Sequence, residues 1–216
     1  MPPPLPPETR TVGQLVAETL KLYGEHWKVA LVIGLPPAVL SATATGFTRS
    51  QTLAIIPFAG AIAATASYVI ASAVVSGTSL RSRALVPAAI VGVLIYLPFP
   101  FLTALFVLPG LAWFALAGLA VPAAVTERLG VWEALRRGFA LGRADYAHAL
   151  GGLATLTLLV FVTQIAASLL LQGVADNSAR AAAFLAGLVL SPVLFLGAAL
   201  LYVDQAARLR ARAVSP

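Results

Sequence analysis

Long apolar runs, separated by short segments that hold most of the charged side chains, dominate this sequence. Five intervals contain no Asp, Glu, Lys or Arg; they are residues 29–48, 50–80, 84–126, 146–175 and 181–203. A helix needs about 20 mostly apolar residues to cross the hydrocarbon layer of a bilayer. Each interval is long enough for at least one crossing, so the pattern predicts a bundle of transmembrane helices.

The third interval, residues 84–126, is too long for a single crossing. As one helix it would extend about 65 Å at 1.5 Å per residue, roughly twice the hydrocarbon thickness. The chain must fold back near Pro98, Pro100 or Pro109-Gly110, because proline interrupts helices and Pro-Gly favours turns. We place the turn at Pro109-Gly110. The sequence therefore predicts an all-α polytopic membrane protein with six transmembrane helices.

The distribution of basic residues predicts the orientation. With six crossings, all the Lys and Arg residues except Arg49 and Arg180 fall on the side that holds both termini. Cytoplasmic connections are rich in Lys and Arg, so we expect both termini in the cytoplasm and the protein in the inner membrane of a prokaryote. Trp27, Trp132 and Tyr146 fall near the same side, where amphipathic rings favour the headgroup layer.

Two amphipathic segments, about 11–28 and 131–146, precede transmembrane helices. Thr11 and Gln14 have the spacing of a capping box at the start of the first segment. The apolar face of the second carries Trp132, Leu135, Phe139, Gly142 and Tyr146. We expect both to be helices lying in the membrane interface.

The domain organisation predicted from these elements is simple. Residues 1–10 form a disordered, proline-rich tail without the features of a cleavable signal peptide. Residues 11–209 form a single membrane domain, and residues 210–216 form a cytoplasmic tail.

Composition limits the chemistry. The chain is 60% apolar and 10% charged, whereas a soluble domain is about 25% charged. The net charge of +6 does not predict a nucleic-acid partner, because the basic residues lie between the apolar segments. The absence of cysteine excludes disulfides and zinc–thiolate sites. No catalytic or nucleotide-binding motif is present, so we predict no catalytic residue, cofactor or metal site.

Polar side chains at membrane depth are the first functional candidates, because their burial is unfavourable. Gln164, Tyr68 and Tyr96 are predicted to make intramembrane polar contacts, which join helices more often than they bind a substrate. A small transporter or channel with these residues along its path is one alternative. It is weakened by the lack of ionisable residues near the centre of any predicted span.

A second alternative is an interfacial lipid-modifying enzyme that uses Glu127, Asp145 and His148. This hypothesis requires the three side chains to converge on one pocket. Asp204 is instead expected to form a salt bridge with Arg208, one turn further along the last helix.

Basic residues at the cytoplasmic side form the remaining candidate site. Arginines next to a membrane are attracted to anionic lipids. The predicted contacts are Arg81, Arg83, Arg136, Arg137, Arg143 and Arg208. The leading interpretation is a non-catalytic helical module that binds membrane lipids or a membrane-protein partner, which could be a second copy of the chain.

Three stretches carry a resemblance to a known family. They are TVGQLVAETLKLYGEHWK, VPAAVTERLGVWEALRRGFALGRADYAHALG and LYVDQAARLRAR, and the second, with Glu127, Ala134-Leu135 and Arg136-Arg137, is the most specific. With the span pattern, the chain resembles bacterial and archaeal six-helix membrane proteins of unsettled activity, similar to the membrane domain of some glycerophosphodiester phosphodiesterases. The resemblance implies a stand-alone membrane module, and it transfers no catalytic residue because no hydrolase domain is present.

Overall fold

The chain is built almost entirely of helices. The computed structural model describes residues 6–44, 46–79, 82–170 and 176–214. After a 3-10 turn at Pro7–Thr9, the helices are α1 Val12–Glu25, α2 Trp27–Ala44, α3 Arg49–Ser76, α4 Ser82–Tyr96, α5 Phe99–Leu105, α6 Val107–Ala117, α7 Ala120–Thr126, α8 Val131–Ala144, α9 Tyr146–Leu170 and α10 Asp176–Val214. No strand occurs in these described ranges.

Six helical segments are long and apolar enough to cross a membrane, which confirms the all-α polytopic fold. Among the described residues these segments are Trp27–Ala44, Arg49–Ser76, Ala84–Thr103, Val107–Thr126, Tyr146–Ala166 and Phe184–Ala213. The third segment combines α4 with α5, and the fourth combines α6 with α7. The long apolar interval therefore does fold back on itself.

The position predicted for this fold-back is wrong. The chain reverses next to Phe106, which is extended with φ −158° and ψ 154°, and Pro109-Gly110 lies inside the first turn of α6. Proline is tolerated there because the first amides of a helix have no partner within the helix. A Cβ at Gly110 would overlap the side chain of Thr103, so the glycine allows α6 to pack closely on α5.

The junction of α4 and α5 has its own stabilising contact. Pro98 is the N-cap residue of α5, so the carbonyl groups that end α4 lack the usual amide partners. The indole Nε1 of Trp113 on α6 donates a hydrogen bond to the carbonyl of Ile95 at 2.9 Å. A side chain of the returning crossing thus satisfies a backbone group in a region that offers no water.

A proline in α2 also leaves a backbone carbonyl that needs a hydrogen-bond donor from another helix. Pro37 lies inside the helix and has no N–H, so the carbonyl of Ile33 receives no hydrogen bond from a backbone amide of α2. The hydroxyl of Ser67 on α3 donates to that carbonyl at 2.6 Å. Ser67 and Ala71, which lie one turn apart on α3, are both small and buried. The small side chains therefore bring α2 and α3 close enough for this hydrogen bond.

Helix α2 also packs very closely on α10. Pro192 cannot donate to the carbonyl of Leu188, and that oxygen lies against Gly34 of α2 so closely that a Cβ at Gly34 would overlap it. One turn away, a Cβ at Gly187 would come within 3.0 Å of the Cα of Ala38. Glycine and alanine at these crossing points allow the two backbones to touch.

Helix α1 begins as the sequence predicts. Thr11 accepts a hydrogen bond from the amide of Gln14, and the side chain of Gln14 accepts one from the amide of Thr11, which confirms the capping box. Leu15 and Thr19 are buried where α1 packs on α9 and α10. The helix ends at Glu25, and Trp27 already belongs to α2, so the segment is shorter than the predicted 11–28.

Helix α8 buries only part of the predicted apolar face. Gly142 is buried and Leu135 and Phe139 pack against the core, as predicted, whereas Trp132 is 77% exposed. The packed face extends to Ala134, Gly138 and Leu141, which the prediction did not include. A Cβ at Gly138 would overlap Ala120 of α7, so the backbone of α8 lies directly against that helix. Small residues, which contribute little to hydropathy, determine the contact here because they permit the closest approach.

Helices α1 and α8 lie at the same end of the bundle, together with the C-terminal half of α10, and we call this the basic end. Helix α10 has 39 residues and extends about 58 Å, well beyond the thickness of a hydrocarbon layer. It continues to Val214, through most of the segment predicted to be a tail. The 3-10 turn at Pro7–Thr9 packs against α10, so the described part of the N-terminal tail is ordered as well.

Candidate functional site

A cluster of polar side chains occupies the basic end, and its centre is Asp204. The side chain of Asp204 has no exposed surface, and Arg10 pairs with its Oδ1 at 2.6 Å. The predicted pair of Asp204 with Arg208 is therefore wrong. An N-terminal residue reaches α10 instead, and a buried carboxylate requires such a partner because its transfer from water is costly.

Arg208 pairs with Asp145 at the junction of α8 and α9. One guanidinium nitrogen of Arg208 lies 2.6 Å from Oδ2 of Asp145, and the other donates to the carbonyl of Arg10 at 2.7 Å. The side chain of Gln205 donates to the carbonyl of Asp145 at 2.8 Å and accepts from its amide at 3.1 Å. These contacts join the N-terminal segment, the start of α9 and the end of α10 into one unit.

His148 completes this cluster. Its Nε2 lies 3.7 Å from Oδ2 of Asp204, and neither atom has a hydrogen-bond partner among the described residues. The amide of His148 donates to Oδ1 of Asp145, which caps α9. The two atoms form an ion pair only when the imidazole is protonated.

The three residues of the predicted lipid-modifying site have different partners. Asp145 and His148 share the cluster around Asp204, whereas Glu127 binds Arg137 at 2.9 Å and accepts a hydrogen bond from the hydroxyl of Tyr202 at 2.8 Å. Within the described part of the chain, no three His, Asp or Glu residues are placed to hold a metal ion.

The predicted lipid-contacting arginines fall into two groups. Arg137 and Arg208 are half-buried and paired with carboxylates, as described above. Arg136 and Arg143 are exposed on the outer face of α8. Arg81 lies outside the described residues, as does the side chain of Arg83.

Tyr68 and Tyr96 belong to an aromatic cluster within the bundle. The ring of Tyr68 is fully buried, and its centroid lies 6.2 Å from Tyr96, 5.6 Å from Phe114 and 6.2 Å from Phe195. Their surroundings are therefore apolar rings, unlike the lining of a polar path. Gln164, the third predicted intramembrane contact, lies on α9 within residues 161–166, all of which are exposed.

Sequence reasoning missed Arg10 and Gln205 as members of the cluster. Arg10 was assigned to a disordered tail, and Gln205 stands among alanines with no motif around it. The available signal was the pair of acids at positions 145 and 204, each of which needs a cation at the end of an apolar helix.

No family model, no curated protein and no solved structure matches the chain.

Proposed function

We propose that this protein is a non-catalytic membrane module that binds anionic lipids at the cytoplasmic face of a prokaryotic inner membrane. Both termini and the basic end face the cytoplasm in this proposal. The observation that carries it is the outer stripe of α8, where Trp132, Arg136 and Arg143 are exposed.

Helix geometry places these three residues on one line. At about 100° per residue, positions 132, 136 and 143 fall within about 40° of one another, opposite the packed face of α8. An exposed tryptophan at a membrane boundary favours the headgroup layer. Guanidinium groups beside it are suited to phosphate oxygens, which they bind through paired hydrogen bonds.

The packing of α8 fixes the direction of this stripe. A Cβ at Gly142 would overlap the carbonyl of Leu116 on α6, and a Cβ at Gly138 would overlap Ala120 on α7. Because the backbone of α8 lies directly on α6 and α7, the helix cannot rotate without separating from them. The arginines are therefore presented outward from a rigid support, which lowers the entropy lost on binding.

Charge pairing distinguishes the two arginines that bind lipid from those that do not. Arg137 and Arg208 each compensate a carboxylate, so they add little net positive charge to the surface. Arg136 and Arg143 form no salt bridge with any described residue and keep their full charge for a partner.

Native mass spectrometry of the protein in detergent, titrated with phosphatidylglycerol or phosphatidylcholine, tests this function. An arginine near a lipid surface contributes about 1 kcal/mol, so Arg136→Gln and Arg143→Gln should each weaken phosphatidylglycerol binding about fivefold, and the double variant about 30-fold. Phosphatidylcholine binding should not change.

Arg49→Gln is the matched control, because Arg49 is exposed at the opposite end of the bundle and the charge change is identical. A double variant at positions 136 and 143 that binds phosphatidylglycerol as well as the parent protein would refute the proposal. Equal losses in the Arg49→Gln variant would do the same, since they would show a response to net charge alone. Retention of a protein in place of lipid would indicate a membrane partner.

A further inference from the structure

A cavity of about 230 Å³ lies between six helices of the bundle, which are α3, α4, α5, α6, α9 and α10. Tyr96, Phe99, Phe114 and Phe195 contribute four aromatic rings to its lining, and small residues on α3 leave the space open. Ring centroids are 5.3 Å apart for Tyr96 and Phe114 and 6.3 Å apart for Phe99 and Phe114. These separations leave the rings in mutual contact along one wall.

The cavity opens to the hydrocarbon layer. Every residue that lines it belongs to one of the six apolar segments long enough to cross a membrane. Lining residues on α3, α5, α9 and α10 are only half-buried, among them Ile56, Phe99, Thr157 and Leu194, so the opening lies on the side of these helices. A ligand must therefore enter from the membrane, and it must be soluble there.

The volume limits the size of that ligand. A cavity of about 150 Å³ with apolar walls accommodates benzene. The present cavity is larger by about half, which is enough for one six-membered ring with small substituents. A longer tail would have to leave through the opening into the surrounding lipid.

The lining of the cavity is apolar except for two residues that carry a hydroxyl group, Tyr96 on α4 and Thr157 on α9. Thr103, Thr155 and Thr163 each donate to a carbonyl four residues earlier in their own helix. Thr157 makes no such bond among the described residues, and the hydroxyl of Tyr96, whose side chain is 8% exposed, has no hydrogen-bond partner there. An unpaired hydroxyl in an apolar region is unfavourable, so both groups favour a ligand with oxygen acceptors.

We propose that this cavity binds the ring of a membrane-soluble quinone, with its carbonyl oxygens accepting hydrogen bonds from Tyr96 and Thr157. A quinone ring is flat and uncharged, its size matches the volume of the cavity, and it can stack against the aromatic side chains of the lining. An acyl chain would leave both hydroxyl groups unpaired, and a charged headgroup would meet no counter-ion in the lining. This site is independent of the lipid-binding stripe on α8.

Fluorescence of Trp113 tests the proposal. Trp113 is the sequence neighbour of the lining residue Phe114, and it donates a hydrogen bond to the carbonyl of Ile95, next to the lining residue Tyr96. A quinone bound in the cavity should therefore quench its fluorescence. Trp27→Phe and Trp132→Phe remove the other two tryptophans, which are both exposed. Titration of the full chain in nanodiscs with a short-tailed benzoquinone should give saturable quenching.

Variants of the lining identify the site. Ala64→Phe fills the cavity and should raise the apparent Kd at least tenfold, whereas Ala54→Phe on the exposed part of α3 should leave it within twofold. Tyr96→Phe removes one donor and should weaken quinone binding about fivefold. The same variant should not change competition by an alkylbenzene, which has the ring but no carbonyl.

Helix content and thermal unfolding of each variant are measured in parallel. If Ala64→Phe does not fold, Thr157→Val provides the second test, with the same fivefold loss expected. The proposal is overturned if quenching does not saturate, or if it is unchanged by these substitutions. It is also overturned if brominated phospholipid quenches Trp113 and excludes the quinone, because an acyl chain would then occupy the cavity.

Discussion

Loss of the Arg10 side chain should strongly destabilise the folded protein. Arg10 is 12% exposed in its side chain and lies 2.6 Å from a carboxylate of Asp204 that has no exposed surface. Arg10→Gln leaves this carboxylate buried without its cation. Breaking a buried pair from one side costs about 3–5 kcal/mol, and we expect a loss of this size in the free energy of unfolding.

Removal of the other partner should be less costly. In Asp204→Asn the buried group becomes neutral, and the partly exposed Arg10 can turn toward solvent. We expect a loss of about 1–2 kcal/mol, which is the usual cost of an imperfectly paired buried amide. The double variant should resemble Asp204→Asn alone, so the coupling energy of the cycle should equal the cost of Arg10→Gln, about 3–5 kcal/mol.

The assay is equilibrium unfolding in mixed micelles, followed by circular dichroism, for the parent, both single variants and the double variant. Arg212→Gln serves as the control, because Arg212 is exposed near the end of the same helix as Asp204. It should change stability by less than about 0.5 kcal/mol. The reasoning is refuted if Arg10→Gln costs less than about 1 kcal/mol and the two substitutions are additive.

Two further predictions concern helix packing, with unfolding measured in the same way. Ser67→Ala leaves the carbonyl of Ile33 unpaired and should cost about 1–3 kcal/mol, and a value below about 0.5 kcal/mol would show that this hydrogen bond is dispensable. Gly34→Ala would force α2 away from α10 and should cost about 3 kcal/mol or prevent folding. Gly24→Ala, where a Cβ meets no atom within 4 Å, should be neutral or stabilising, and equal losses at both glycines would contradict the packing argument.

The sequence by itself determined the number of crossings and the start of α1. Six apolar segments follow from hydropathy and length, which are properties of each segment alone. The capping box of Thr11 and Gln14 follows from a spacing of three residues. Such features need no knowledge of any neighbouring helix, and the structure contains them all.

Only the tertiary structure decided which groups meet. Asp204 pairs with a residue 194 positions away rather than with the arginine one turn along, because that arginine is drawn to Asp145. The position of the turn at Phe106 and the full extent of the packed face of α8 also could not be predicted from local sequence patterns. In each case the outcome depends on which backbones can approach and which buried charges need partners, and those quantities exist only once the helices are assembled.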